Sequence, residues 1–182
     1  KYGYSEPFRV ERALDDWKGS SIGDRAEQIH IAISVIKGDS PSRYEEEIDS
    51  IIDLGLEIGV DEVSVSADNP DVIRVIEELT ESMVKEQAYW ADKAGDKGTI
   101  RLYRGVNAEG VSLGPNVSQD LPASSWSLNS ALASNFGNVV MAREARPDEI
   151  IASLFSGIGN AREGEVILYT SPDGAEIEVI AA

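Results

Sequence analysis

The chain has 182 residues, of which 42% are apolar and 27% are charged, a composition typical of a globular protein with a buried core. It contains no cysteine, which excludes disulfide bonds, thiolate zinc sites and a cysteine nucleophile. Its 33 acidic and 16 basic residues give a net charge of −17, and a surface of that sign repels nucleic acid backbones.

The first half of the chain has the apolar periodicity of helices. Steps of four, three, four and three predict one helix face at Ile22, Ala26, Ile29, Ile33 and Ile36. We expect this helix to start near Ser20 or Ser21 and to stop at Gly38, because serine favours the first position of a helix and glycine the position after its end.

Two serine or asparagine residues followed by proline predict two further helix starts. Ser40-Pro41 predicts a second helix that runs through Ile48 towards Gly59. Asn69-Pro70 predicts a third helix that runs to Ala94, before Gly95.

From Thr99 onward the periodicity is that of β-strands, interrupted by one short helix over Asn129 to Phe136. The predicted strands are Thr99 to Val106, Asn138 to Ala145, Ile150 to Phe155, Glu165 to Thr170 and Glu176 to Ile180. Helices followed by strands, without alternation, indicate an α+β fold with an antiparallel or mixed sheet, so a Rossmann topology is disfavoured. No glycine-rich dinucleotide or Walker motif is present.

The residues available for chemistry are few in kind. The single histidine, His30, lies beside an apolar helix face, where a structural role is expected, so a Ser-His-Asp triad and a histidine-rich metal site are disfavoured. Catalysis would therefore use carboxylates, hydroxyls and arginine. Glu163-Gly164-Glu165 would place two carboxylates on one strand face, roughly 7 Å apart, with room for a ligand at the glycine. Taken alone, this pair is more simply two solvated acids.

Three segments occur in an order that gives the pair a context. They are Leu102-Tyr103-Arg104-Gly105, Ser125-Trp126-Ser127-Leu128 and Glu163-Gly164-Glu165-Val166-Ile167-Leu168. This pattern resembles the arginine–serine–glutamate class of ADP-ribosyltransferases, which includes actin-modifying toxins and related phage and secreted exoenzymes. The resemblance covers Ile100 to about Thr170.

The resemblance implies an α+β ADP-ribosyltransferase fold of two packed perpendicular small β-sheets with N-terminal helices. A single domain would cover residues 1–182, with a helical part over 1–97 and a β-rich part over 98–182. The implied activity is mono-ADP-ribosyl transfer from NAD, as substrate, to a protein, without a metal. Glu165 would stabilise the positive ribose, and Glu163 would serve the acceptor, which favours arginine.

The same resemblance implies the NAD-binding residues. Arg104, flanked by Tyr103 and Gly105, would hold the pyrophosphate through forked hydrogen bonds. Ser125 would bond near the nicotinamide ribose and orient the catalytic glutamate, and Ser127 would support the site structurally. Trp126 replaces the threonine that is common at its position, and its ring would belong either to the core or to the nicotinamide pocket.

Alternatives remain open at this stage. Water could replace the acceptor, giving an NAD glycohydrolase, or the fold could serve as a non-catalytic, virion-associated interaction module. A carboxylate-pair glycosidase would leave Arg104 without a role. We expect a soluble monomer that acts on a protein and binds neither nucleic acid nor membrane, with a secreted or virion-associated location possible. The acidic surface indicates either strong solvation or a salt-adapted, halophilic source.

Overall fold

The computed structural model describes residues 24–53, 66–107, 121–156, 164–171 and 175–181. The chain forms two compact units, Lys1–Thr80 and Glu81–Ala182. Helices and an antiparallel sheet occur together, which confirms the mixed α and β class that the sequence predicts. The single domain expected for residues 1–182 stays a prediction.

The first unit contains helix α1 (Asp24–Lys37), helix α2 (Arg43–Asp53) and the beginning of helix α3 (Pro70–Ala94). Helix α1 ends at the predicted residue, because Gly38 has a φ of 79° that only glycine adopts readily. Ile29 and Ile33 of its predicted apolar face are fully buried. Ile22, from the same predicted face, lies outside the described residues.

The two predicted proline starts have different outcomes. Asn69 accepts the N–H of Asp71 at 2.8 Å, and α3 begins at Pro70 and ends at Ala94, as predicted. Ser40 instead organises a turn, with its hydroxyl oxygen accepting the N–H of Ser42 at 3.3 Å. Helix α2 begins only at Arg43, so the predicted start at Ser40-Pro41 is too early.

The described residues of the second unit form the rest of α3, a short helix α4 (Ser130–Ala133) and six strands. The strands are β1 (Ile100–Val106), β2 (Ala123–Ser127), β3 (Val139–Ala145), β4 (Ile150–Ser153), β5 (Glu165–Tyr169) and β6 (Glu178–Ala181). The short helix predicted over residues 129–136 is real but ends early, with Asn129 as its cap. The Oδ1 atom of Asn129 accepts the N–H of Ala131 at 2.8 Å.

Strand pairing joins the six strands into one antiparallel sheet in the order β4-β5-β2-β1-β3-β6. Strands β1 and β3 pair along seven residues of each, whereas β1 and β2 are matched at the single pair Tyr103 and Ser127. The predicted division into two perpendicular sheets is not confirmed by this pairing. The narrow junction nevertheless brings the second half of β1, the end of β2 and the start of β5 together.

The second unit has a buried hydrophobic core beside its sheet. Its residues are Trp90, Leu102, Trp126, Ala145, Ile150, Val166 and Leu168. Burial of the leucine, isoleucine and valine side chains in this set contributes roughly 1.5–3 kcal/mol each, so the strands are firmly held. No described helix combines the length and the apolar character that a membrane span requires.

Strand β4 is shorter than predicted. The sequence predicts extended backbone through Phe155, but Leu154–Ser156 form a 3-10 turn. The N–H of Phe155 bonds to the hydroxyl of Ser153 at 3.1 Å, and the N–H of Ser156 bonds to the carboxylate of Glu86 at 3.0 Å. These side-chain acceptors satisfy backbone donors within the turn.

Candidate active site

A cavity of about 170 Å³ opens where β1, β2, β5 and α4 meet. Its lining residues are Tyr103, Arg104, Gly105, Ser125, Trp126, Ser127, Ala133, Phe136 and Glu165. The three sequence segments that carry the resemblance therefore meet around one space. Every candidate site residue that the structure describes lines it, and Glu163 lies outside the described residues.

Glu165 is the first residue of β5 and is only 6% exposed. The pairing of β2 with β5 places Ser127 opposite Glu165 and Ser125 opposite Ile167. The hydroxyl of Ser125 donates to Oε1 of Glu165 at 2.7 Å. A charge-assisted bond of this length fixes the direction in which the carboxylate points.

Arg104 supplies a positive charge at the same cavity. Its Nη1 atom is buried and has no hydrogen-bond partner among the described residues. Burial lowers the pKa of Arg104 to about 10, which leaves the guanidinium protonated at neutral pH. Because Nη1 is buried without a hydrogen-bond partner among the described residues, an anionic ligand beside it would be stabilised.

Arg101, on the same strand, has a different environment. Its guanidinium bonds to Glu178 at 2.5 Å and to Glu144 at 3.3 Å, and its side chain is exposed. These two carboxylates raise the pKa of Arg101. Arg101 does not line the cavity, so Arg104 is the arginine of β1 that a bound ligand would meet.

Ser127 makes backbone contacts at the junction of β2 and α4, and its supporting role stays a prediction. Its hydroxyl oxygen accepts the N–H of Asn129 at 3.0 Å, immediately before helix α4. The next residue, Leu128, donates its N–H to the carbonyl oxygen of Gly164 at 3.1 Å. Ser127 therefore connects the end of β2 to the start of α4, close to the first residue of β5.

The predicted geometry of Glu163-Gly164-Glu165 assumes that all three residues belong to one extended strand, and this assumption is wrong. Strand β5 begins at Glu165, and Gly164 has a φ of 57°, so the alternation of an extended strand does not continue through Gly164. The estimate of roughly 7 Å loses its support. A Cβ at Gly164 would meet its nearest neighbour at 3.7 Å, so the backbone conformation, and not room for a ligand, favours glycine.

Trp126 borders the cavity while its indole belongs to the buried core. The indole N–H donates to the hydroxyl of Ser124 at 2.8 Å, and the guanidinium of Arg143 lies 5.6 Å from the ring centroid. Of the two roles that the sequence leaves open, packing in the core accounts for these contacts. A role for the ring in nicotinamide binding stays a prediction.

Phe136 is a lining residue that the sequence-based list of candidates omits. It is 51% exposed and follows helix α4, at the end of the short helix that the sequence predicts over residues 129–136. An exposed ring at the rim of a cavity offers a face on which a planar ligand can stack. The sequence indicates Phe136 only as the end of the short predicted helix and does not indicate that its ring reaches the cavity.

Two glycines bring α4 close to β1. A Cβ added at Gly105 would overlap the carbonyl oxygen of Ala133, and one added at Gly137 would overlap the backbone of Val106. The resemblance implies that Gly105 contacts the cofactor. It lines the cavity, and its missing side chain also permits the close approach of helix and strand.

His30 lies in the first unit, fully buried, with its ring stacked on Tyr44 at 4.6 Å between centroids. Burial, with a smaller contribution from Glu27, raises the pKa of Tyr44 to about 12. Among the described residues, no group of three histidine, aspartate or glutamate side chains is arranged to hold a metal ion.

No protein-family model matches the chain, and no curated protein matches it. Among solved structures, the chain is similar to exoenzyme S from Pseudomonas aeruginosa, in a complex with human 14-3-3 protein beta and bound to carba-NAD. The identity is 13%, over 94% of this chain and 80% of that chain, with a TM-score of 0.38. A likeness this weak carries no argument about function, which depends on the chemistry of the cavity.

Proposed function

We propose that the protein is an NAD-consuming mono-ADP-ribosyltransferase whose catalytic carboxylate is Glu165. The observation that carries this proposal is the convergence of three groups on one cavity. They are the guanidinium of Arg104, the hydroxyl of Ser125 and the carboxylate of Glu165, to which Ser125 is hydrogen-bonded. A phosphate-binding cation beside an oriented carboxylate suits a substrate with both an anionic group and a carbon that becomes positive.

The size of the cavity limits which part of NAD it would take. At about 170 Å³ it is smaller than the ~300–1,000 Å³ of pockets that enclose whole drug-sized ligands. The nicotinamide ribose would enter, with the pyrophosphate at Arg104 and the adenosine outside. The half-exposed ring of Phe136 offers a face for the nicotinamide.

The reaction breaks the bond between C1′ of the ribose and the nicotinamide nitrogen, and the bonding electron pair leaves with nicotinamide. Positive charge then develops on the ribose. The carboxylate of Glu165, accepting a hydrogen bond from the 2′-hydroxyl, stabilises that charge more in the transition state than in the ground state. Ser125 keeps the carboxylate oriented, which avoids the cost of reorganising it during the reaction.

The acceptor would be an arginine of a target protein. One guanidine nitrogen forms the new bond to C1′, and the proton that it loses passes to the carboxylate of Glu163. This assignment rests on the sequence order Glu163-Gly164-Glu165 and on the resemblance. We also propose the fold that the resemblance implies. The chain would form one domain, with two packed sheets that meet between β1 and β2.

The decisive experiment incubates the protein with biotin-labelled NAD and a cell lysate, and then maps the modified residues by mass spectrometry. Glu165→Gln is the inactive comparison, because it keeps the side-chain shape and removes the charge. We expect a loss of about 100-fold or more in both transfer and NAD cleavage. The matched control is Glu178→Gln, which changes an exposed carboxylate on β6 that does not line the cavity.

The products separate the possible outcomes. Biotin on arginine supports the full proposal, whereas free ADP-ribose without labelled protein would make the protein an NAD glycohydrolase. No NAD cleavage by the folded wild type would refute the proposal. Activity of Glu165→Gln within a few-fold of the wild type would remove Glu165 from the mechanism.

A further inference from the structure

A second carboxylate in the same unit is buried far more deeply than its charge would favour. Glu86, on α3, is 0% exposed and has no ion-pair partner among the described residues. Moving an ionised carboxylate out of water costs several kcal/mol unless hydrogen bonds replace its hydration. The groups that donate hydrogen bonds to Glu86 therefore indicate its role.

Its two oxygens accept bonds from four donors. Oε1 accepts the backbone N–H of Ser153 at 2.7 Å and that of Ser156 at 3.0 Å. Oε2 accepts the hydroxyl of Ser153 at 2.8 Å and the indole N–H of Trp90 at 2.9 Å. Hydrogen bonds to an ionised acceptor are roughly twice as strong as those between neutral groups. The segment from Ser153 to Ser156 is therefore firmly held.

Three of the four donors belong to the end of β4. Ser153 is the last residue of that strand, and Ser156 ends the 3-10 turn after it. Ser153 also lies opposite Val166 of β5, the residue that follows Glu165. A contact path of described residues therefore runs from Glu86 through Ser153 and Val166 to the carboxylate at the cavity.

We propose that Glu86 is a positioning residue, which fixes the end of β4 and thereby the place of Glu165 at the start of β5. The inference rests on the proposed function, because it gives Glu86 a part in NAD cleavage. Stability alone is a weak reason for a buried carboxylate, since apolar residues of similar volume often stabilise proteins as well or better. Catalysis, in contrast, is sensitive to displacements of about 1 Å.

Two substitutions of similar volume separate hydrogen bonding from packing. Glu86→Gln retains an oxygen that can accept both backbone N–H groups, while Glu86→Met fills the space and accepts neither. The matched control is Glu81→Gln on the same helix, where the carboxylate is exposed and pairs with Lys85 at 2.8 Å. Circular dichroism at the assay temperature establishes that each variant is folded.

We expect Glu86→Met to lower kcat for NAD cleavage by about 10-fold or more, with the Kd for NAD changed by less than about two-fold, because Arg104 is untouched. Glu86→Gln should stay within about three-fold of the wild type, and Glu81→Gln should match it. A folded Glu86→Met with the kcat of the wild type would overturn the inference. Equal losses in Glu86→Gln and Glu86→Met would also overturn it, because the retained backbone bonds would then be irrelevant.

Hydrogen exchange gives a readout that does not need activity. Glu86→Met should speed exchange of the Ser153 and Val166 amides relative to Glu81→Gln. An inactive wild type would refute the proposed function, and faster exchange at Val166 would then still support the positioning of β5, whereas unchanged exchange would overturn it. Should Glu86→Met fail to fold, Glu86→Leu replaces it, because leucine also accepts neither backbone N–H, and an unchanged kcat in that variant would overturn the inference.

Discussion

At Arg104, burial and charge act against each other. The side chain keeps its proton at neutral pH although its Nη1 atom is buried and has no hydrogen-bond partner among the described residues. A pyrophosphate oxygen bonded to Nη1 would supply the hydrogen-bond partner that this atom lacks among the described residues. Binding of a pyrophosphate would therefore explain why this guanidinium nitrogen is buried.

Arg104→Lys is expected to weaken NAD binding by about 10-fold, because lysine keeps the charge but loses the planar fork that bonds two phosphate oxygens. Isothermal titration calorimetry measures the affinity directly. Arg101→Lys is the matched control on the same strand, where the guanidinium already pairs with Glu144 and Glu178. Unchanged affinity in Arg104→Lys would make Arg104 a structural residue.

Glu163→Gln should separate the two half-reactions. Transfer to arginine should fall by about 100-fold, because the protonated guanidinium loses its base, while NAD cleavage to free ADP-ribose should persist. Parallel assays of labelled protein and released nicotinamide measure both, with Glu165→Gln losing both. Complete loss of hydrolysis in Glu163→Gln, or intact arginine transfer, would contradict the role of Glu163 on the acceptor side.

Among the elements, those with local signals are the ones that the sequence predicts well. Helix α3 begins and ends where Asn69-Pro70 and Gly95 predict, because a capping oxygen and a left-handed glycine act within a few residues. Strand β4 is different, since Glu86, distant in the sequence, binds the amide of Ser156 and ends the extended backbone. No local pattern contains that information.

In the candidate site, too, some features are predicted by the sequence and others depend on distant contacts. The order of the aromatic-arginine, serine and glutamate segments predicts the residues that meet at the cavity, because strand pairing brings them together. The role of Phe136 and the left-handed turn at Gly164 depend on how α4 and β5 pack and start. These features follow from tertiary contacts, which periodicity does not encode.

The close approach of α4 and β1 gives a prediction at the same scale. Gly137→Ala should destabilise the protein by about 2–3 kcal/mol, because the added Cβ would overlap the rigid backbone of Val106. Urea unfolding measures the loss. Gly98→Ala is the control, since its Cβ would meet nothing within 4 Å and only its φ of 67° opposes substitution, at a cost of about 1 kcal/mol. Equal losses would mean that the approach is not tight.

For the molecule as a whole, the net charge of −17 is the dominant property. Like charges repel within the folded state, and exposed ion pairs such as Lys85 with Glu81 offset little of this repulsion, because solvent screens them. Salt shortens the range of this repulsion to about 3 Å at 1 M. The folded state should therefore gain stability as the salt concentration rises.

Thermal melts at pH 7 should give a higher Tm in about 2 M sodium chloride than in about 50 mM, as the salt-adapted interpretation of the sequence requires. Repeating the pair of melts near pH 5 provides the control. This pH is close to the isoelectric point of about 4.3, so the net charge and its repulsion are smaller, and salt should raise the Tm less. An equal rise at both pH values would indicate that salt acts on hydrophobic burial and not on charge. A Tm at about 50 mM that equals or exceeds the Tm at about 2 M would reject salt adaptation, leaving strong solvation as the role of the acidic surface.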